Sequence, residues 1–352
     1  MKIGITGTGS YIPSIITKNE DFLDHEFLGS DGVTFGDNNP VIIEKFKSIT
    51  GIAERRYAQA ELKTSDLGYL AAEKAIEDAG IEKESLDYII FAHNFGDLTP
   101  GKIQGDTLPS LATRVKHLLK IKNPKCVAYD MIFGCPGWIE GIIQANAFIK
   151  SGIAKKCLVI GGETLSRVID EYDRDSMIYS DGAGAAVLEG NPTSGEILGH
   201  ASATYANEEA YYLFFDKTYA SEGCSDTRYI KMHGRKIYEF ACTHVPQAMA
   251  TCLDESGVSI DDIKKVFIHQ ANEKMDEAII KRFYKIYGKK APEDIMPMSI
   301  HKLGNSSVAT IPTLFDLVRN GELDQHEVKK GDVVIFASVG AGMNINAIVY
   351  KY

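Results

Sequence analysis

The sequence predicts an α/β protein made of two similar halves packed together, each with a mostly parallel sheet covered by helices. Three observations carry this. Continuous apolar runs over 88–92, 156–162, 266–269 and 332–338 alternate with helix-periodic stretches, the pattern of strands buried on both faces. Asp78-Ala-Gly-Ile81 matches Glu255-Ser-Gly-Val258, each followed by a short acidic turn and a strand. Further elements follow in the same order in both copies, which divides the chain at about 1–185 and 186–352.

Residues 2–6 form a β-rich run, and Gly7-Thr-Gly-Ser10 reads as the turn after it. A dinucleotide loop needs a third glycine and an opening helix, and both are missing. Residues 18–50 are polar and irregular, with turn signals at Gly29-Ser-Asp-Gly32 and Asp37-Asn-Asn-Pro40; they predict a surface excursion ending in a short helix over 41–48. Ser65-Asp66 caps an amphipathic helix with Leu67, Leu70, Ala71, Ala75 and Ala79 on one face and Gly80 as its stop. Further helices are predicted over 138–149, 237–255 and 310–319. Ser180-Asp-Gly-Ala-Gly-Ala185 is glycine-rich but lacks the Lys-Ser/Thr of a phosphate loop, so it reads as close packing between the halves.

With 352 residues, 44% of them hydrophobic, the chain can bury a large core. A net charge of −10 argues against general nucleic-acid binding, which needs clustered cations. The six cysteines (126, 135, 157, 224, 242 and 252) have neither zinc-ligand spacing nor a disulfide framework, which predicts no metal and a reducing, cytosolic compartment. The N-terminal stretch lacks a signal peptide's apolar region, and residues 333–350 are broken by Gly340, Gly342, Asn344 and Asn346. No membrane segment is expected.

The chemistry centres on Tyr129-Asp-Met-Ile-Phe-Gly-Cys-Pro-Gly-Trp138, read as strand, tight turn and helix. Pro136 suits a first helical turn, which puts Cys135 at or beside the N-cap, where the helix's positive end lowers a thiol's pKa. The competing reading is a small buried hydrophobe. His269-Gln-Ala-Asn272 places a histidine at a strand mouth, either structural or catalytic. In Lys302-Leu-Gly-Asn305 the asparagine precedes a helix, where it is either an Asx cap or a donor. Together they supply a nucleophile, a proton handler and a neutral oxyanion donor, the needs of thioester acyl transfer. Ser338-Val-Gly-Ala-Gly-Met343 adds a glycine whose backbone N–H can approach closely.

These ordered pieces, with Thr50-Gly-Ile-Ala-Glu-Arg55, Gly134-Cys-Pro-Gly137 and Gly304-Asn-Ser-Ser307, resemble the β-ketoacyl-acyl-carrier-protein synthase III family over nearly the whole chain. The resemblance implies a thiolase-like fold layered αβαβα and a homodimer without cofactor. It implies that Cys135 takes an acyl group from an acyl-coenzyme A or acyl-carrier-protein donor. His269 and Asn305 then hold malonyl-acyl-carrier protein as it loses carbon dioxide, and the N–H groups of Cys135 and Gly340 form the oxyanion hole. The product is a β-ketoacyl-acyl-carrier protein of fatty acid biosynthesis.

The chain departs from the family pattern in places. Lys45 and Ile49 stand where a tryptophan and an arginine usually clasp the coenzyme A adenine, and Arg174 aligns only loosely with another donor-side arginine. Leu108, in the segment that closes the partner subunit's acyl pocket, replaces a bulkier phenylalanine, which allows a longer or branched acyl group. Lys274, Lys281, Arg282 and Lys285 form either a carrier-protein patch or a solvated helix face. Two alternatives are a specialised synthase or acyltransferase of resorcinol- or quinolone-type lipids, and a non-catalytic partner subunit.

Overall fold

The computed structural model describes residues 1–193, 195–220 and 226–352; Cys224 lies outside them. The first sheet holds β1 (Ile3–Tyr11), β2 (Tyr88–His93), β3 (Val127–Ile132), β4 (Lys156–Thr164) and β5 (Asp181–Gly190) in the order β1-β5-β4-β2-β3. The second holds β6 (Glu196–Thr204), β7 (Ile263–Ile268), β8 (Val333–Gly340) and β9 (Asn344–Lys351) in the order β6-β9-β8-β7. In both, a parallel pair continues into two antiparallel strands: β2 beside β4, then β5 and β1, and β7 beside β8, then β9 and β6.

Five layers result. Helices α2 (Thr64–Ala79) and α3 (Leu111–Leu118) cover the outer face of the first sheet. Between the sheets lie α4 (Gly137–Lys150) and α7 (Thr310–Arg319). The outer face of the second sheet is covered by α5 (Gly234–Ser256) and α6 (Glu273–Ile286). The central helices are apolar on nearly all sides because both of their neighbours are sheets.

Four sequence expectations change. Gly7 and Gly9 lie inside β1, not in a turn after it. A methyl carbon on them would sit 2.3 Å from the Ala75 carbonyl oxygen and 2.4 Å from that of Ala71, respectively, so these glycines let α2 lie directly on the strand. The excursion over 18–50 is more than surface. Its helix α1 runs Asn39–Thr50, and Phe22, Phe27, Ile42 and Ile43 bury themselves with Met177. The division expected at 185/186 falls within β5, so residues 186–190 complete the first sheet by pairing with β1 and β4. Pro136 is the N-cap of α4, not a residue of its first turn. At Ser180-Asp-Gly-Ala-Gly-Ala185 a methyl on Gly184 would meet Pro312 Cβ at 2.7 Å, so this glycine serves the packing of β5 against α7.

Candidate active site

Three strand ends converge on one small cavity. Strand β3 leads through Phe133 to Gly134, whose φ of +84° makes the turn that Pro136 and α4 follow; a side chain there would press on Ala341 N at 3.0 Å. This elbow carries Cys135. His269 directly follows β7, and its N–H donates to the Ala337 carbonyl at 2.9 Å, continuing the parallel ladder with β8. Its motif neighbours hold it there: Gln270 Nε2 donates to the Pro297 carbonyl at 2.8 Å, and Asn272 caps α6 by accepting the Met275 N–H at 3.0 Å. Asn305 is tied into the first sheet's end, its N–H donating to the Ile178 carbonyl at 2.9 Å and its carbonyl accepting the Ser180 N–H at 2.9 Å.

Cys135, His269, Asn305 and Gly340 all line this cavity of about 50 Å³, with Tyr179, Leu213, Val339 and Met343 among its apolar walls. Ile178, Met232, Ile237, Ala271 and Met275 also line an outer cavity of about 280 Å³, so the two adjoin. The outer cavity is bordered by Lys45, Ile49 and Arg174. Lys45 pairs with Asp37 at 2.6 Å, and Arg174 stacks its guanidinium 4.3 Å from the Phe35 ring centre.

Burial sets the electrostatics. It pushes the Cys135 thiol up to about 11, while hydrogen bonds from the Ser307 hydroxyl and the N–H groups of Cys135 and Ala341 pull it down and Glu163 opposes them. The sequence expectation of a lowered thiol pKa is therefore corrected: desolvation of the sulfur outweighs the helix end. The same burial pushes His269 down to about 4, so its imidazole is neutral near pH 7. Nδ1 of His269 and the hydroxyl of Ser338 are both buried without a partner among the described residues.

Of the two readings of Asn305, the structure does not give the cap of the following helix, whose N-cap is Ala309. Its Oδ1 accepts the N–H of Ser307 at 2.8 Å, an Asx turn two residues on. Gly340 packs on Cys135 itself, since a methyl there would lie 2.6 Å from Cys135 N.

Other site expectations lie elsewhere. Leu108 is 89% exposed and does not line the cavity of its own chain. Lys274, Lys281, Arg282 and Lys285 stand exposed on α6, whose first turn borders the outer cavity through Met275. Among the described residues no group of His, Cys, Asp and Glu side chains could hold a metal ion, and no helix is long and apolar enough to cross a membrane.

Sequence reasoning missed Ser307, Asn94 and Glu163. The Ser307 hydroxyl donates to Cys135 Sγ at 3.3 Å. Its only sequence signal is its place two residues after Asn305. Asn94 and Glu163 each end a sheet strand's apolar run, a place where polar residues are ordinary.

A sequence profile of 3-oxoacyl-[acyl-carrier-protein] synthase III matches residues 129–206, and the profile of its C-terminal part matches 253–352. A β-ketoacyl-[acyl-carrier-protein] synthase III of Oceanobacillus iheyensis is 32% identical across 100% of this chain and 99% of its own. The chain belongs to the β-ketoacyl-acyl-carrier-protein synthase III family. A synthase III of Erythrobacter litoralis is 31% identical, with both chains covered in full. The crystal structure of 3-oxoacyl-[acyl-carrier-protein] synthase III from Aquifex aeolicus VF5 superposes with a TM-score of 0.81 at 30% identity, covering 99% of this chain and 100% of that one. Xanthomonas campestris OleA, at 17% identity and a TM-score of 0.79 with 100% and 99% covered, shares the fold alone. Membership in the synthase III family makes the chain a condensing acyltransferase with the thiolase-like fold.

Proposed function

We propose that Cys135 is the acyl-carrying nucleophile of a decarboxylative Claisen condensation that gives a β-ketoacyl-acyl-carrier protein. The observation that carries this is the single cavity lined by Cys135, His269, Asn305 and Gly340. The Cys135 sulfur attacks the carbonyl carbon of an acyl thioester. The donor's C–S bond breaks, and the thiol proton leaves with the donor sulfur. The N–H groups of Cys135 and Gly340 meet the transient oxyanion.

Malonyl-acyl-carrier protein then loses carbon dioxide, and the bond's electron pair becomes an enolate whose oxygen takes hydrogen bonds from neutral His269 and from Asn305. A neutral imidazole suits this step because it stabilises the enolate without quenching it. The enolate carbon attacks the acyl-cysteine and releases the Cys135 sulfur. All three polar residues being present speaks against a non-catalytic subunit. The chemistry needs no metal or cofactor.

The apolar outer cavity with Lys45 and Ile49 at its border favours a donor bound differently from a clasped coenzyme A adenine, within the same chemistry. The second reading is a specialised synthase or acyltransferase of resorcinol- or quinolone-type lipids, favoured by Lys45 and Ile49 standing in place of the adenine clasp. Arg174, at the border of the same cavity, is our candidate donor-binding cation.

The homodimer reading draws on β3, the outermost strand of its sheet, with Val127 44% and Ile132 71% exposed. Asp130 on that strand accepts the N–H groups of Leu111 and Ala112 at 2.7 and 2.8 Å, so pairing of two such edges carries the Leu108 segments along with it. The five described cysteines are free, in keeping with a reducing cytosol.

Incubation with a panel of acyl-coenzyme A and acyl-carrier-protein donors should add one acyl mass to the intact protein, and Cys135→Ala should abolish it. No acylation by any donor would remove this reading.

A further inference from the structure

A hydrogen-bonded chain joins the nucleophile to a buried carboxyl through groups that the condensation as proposed does not use. The Ser307 hydroxyl donates to Cys135 Sγ at 3.3 Å and accepts from Asn94 Nδ2 at 3.1 Å. Asn94 is anchored in turn by Glu163, whose Oε1 accepts the Asn94 N–H at 2.8 Å and also its side-chain amide. The Glu163 oxygen that accepts from the side-chain amide fixes which way the Asn94 amide faces, so its nitrogen also points at Ser307. An Asn94 N–H on the Ser307 oxygen leaves the hydroxyl hydrogen free to point at sulfur.

Ser307 holds a φ of +52°, a left-handed conformation that is strained for a non-glycine residue. Its N–H is meanwhile bound to Asn305 Oδ1. The strained residue thus touches the nucleophile with its side chain and the Asn305 amide with its backbone.

We propose that Ser307 is a catalytic residue whose hydroxyl donates a hydrogen bond to the Cys135 thiolate, and that Asn94, anchored on Glu163, is a positioning residue that aims this hydroxyl. Burial raises the thiol, and a donor that binds the charged form lowers it again. The proposal rests on Cys135 as nucleophile but is read without any acyl substrate.

The test is the pH dependence of iodoacetamide alkylation at the Cys135 peptide, followed by mass spectrometry. Ser307→Gly removes the hydroxyl at a backbone conformation that glycine tolerates, and Asn94→Ala leaves the hydroxyl unaimed. We expect the alkylation midpoint to rise by about one pH unit or more in Ser307→Gly, and by a smaller amount in Asn94→Ala, with thermal unfolding still cooperative in both. Unchanged midpoints in both variants overturn the proposal. A rise in Ser307→Gly alone overturns the positioning role of Asn94. A Cys135 that no variant or wild type alkylates at any pH would instead count against the nucleophile itself.

Discussion

Asn305 Oδ1 accepts the Ser307 N–H at 2.8 Å, and because that N–H can only donate, the oxygen of the amide must face it. The Nδ2 group is thereby left as the hydrogen-bond donor that this side chain can offer in the cavity it shares with Cys135 and His269.

That orientation separates two functions of one side chain. Asn305→Asp keeps an acceptor for Ser307 and removes the donor. We predict that Cys135 acylation stays within a few-fold of wild type while release of carbon dioxide from malonyl-acyl-carrier protein falls by roughly 10²–10³. Single-turnover acylation and labelled carbon dioxide release measure the two. Unchanged release would contradict the role given to Asn305.

His269 links the site to acid stability. Burial holds its folded pKa at about 4, below the roughly 6.5 of an unfolded histidine. Above pH 6.5 both forms are neutral and this residue imposes no penalty. As pH falls from 6.5 toward 4 the unfolded chain takes up a proton that the folded site refuses, so stability drops by up to about 3 kcal/mol across that window. His269→Asn should lose that share of the acid sensitivity. Urea unfolding at pH 7 and pH 5 compares the two proteins, and equal losses in both would refute this account.

The cations of α6 are exposed, on the helix whose first turn borders the outer cavity through Met275, and the carrier-protein reading of them has a direct test. Reversing Lys274, Lys281 and Lys285 together to Glu should raise KM for malonyl-acyl-carrier protein about tenfold at low salt, with little change in kcat. The difference should shrink as ionic strength rises, and acylation from a coenzyme A donor should hardly respond. An equal effect on both substrates would point to a folding defect, not to docking.

Leu108 tests the dimer and the acyl pocket together. If it closes the cavity of a second copy, Leu108→Phe narrows the range of accepted acyl chains without weakening self-association. Donor profiles by intact mass and sedimentation of the same sample report both. An unaltered profile would place the residue outside the pocket.

The order of strands and helices was legible because each carries its own periodicity, and the repeat was legible because Asp78-Ala-Gly-Ile81 and Glu255-Ser-Gly-Val258 stop equivalent helices with glycine. The strand mouth at His269 and the elbow at Cys135 could also be read, since a chain leaving a buried strand must expose whatever follows. Gly7 and Gly9 misled as a turn: the same absence of a side chain serves a bend or a close helix, and only the seat of α2 on β1 distinguishes them.

What the sequence determined by itself was the layered fold that brings strand ends together, the family, and the candidates Cys135, His269 and Asn305 that meet in one cavity. Only the tertiary structure decided their electrostatic state. Helix position along the chain argued for a lowered thiol pKa at Cys135, but the enclosure of its sulfur by residues from both halves raises it. The same enclosure brings Ser307, 172 positions away, to within 3.3 Å. Desolvation and long-range hydrogen bonds depend on how densely distant segments surround an atom, a quantity that no local pattern of residues records.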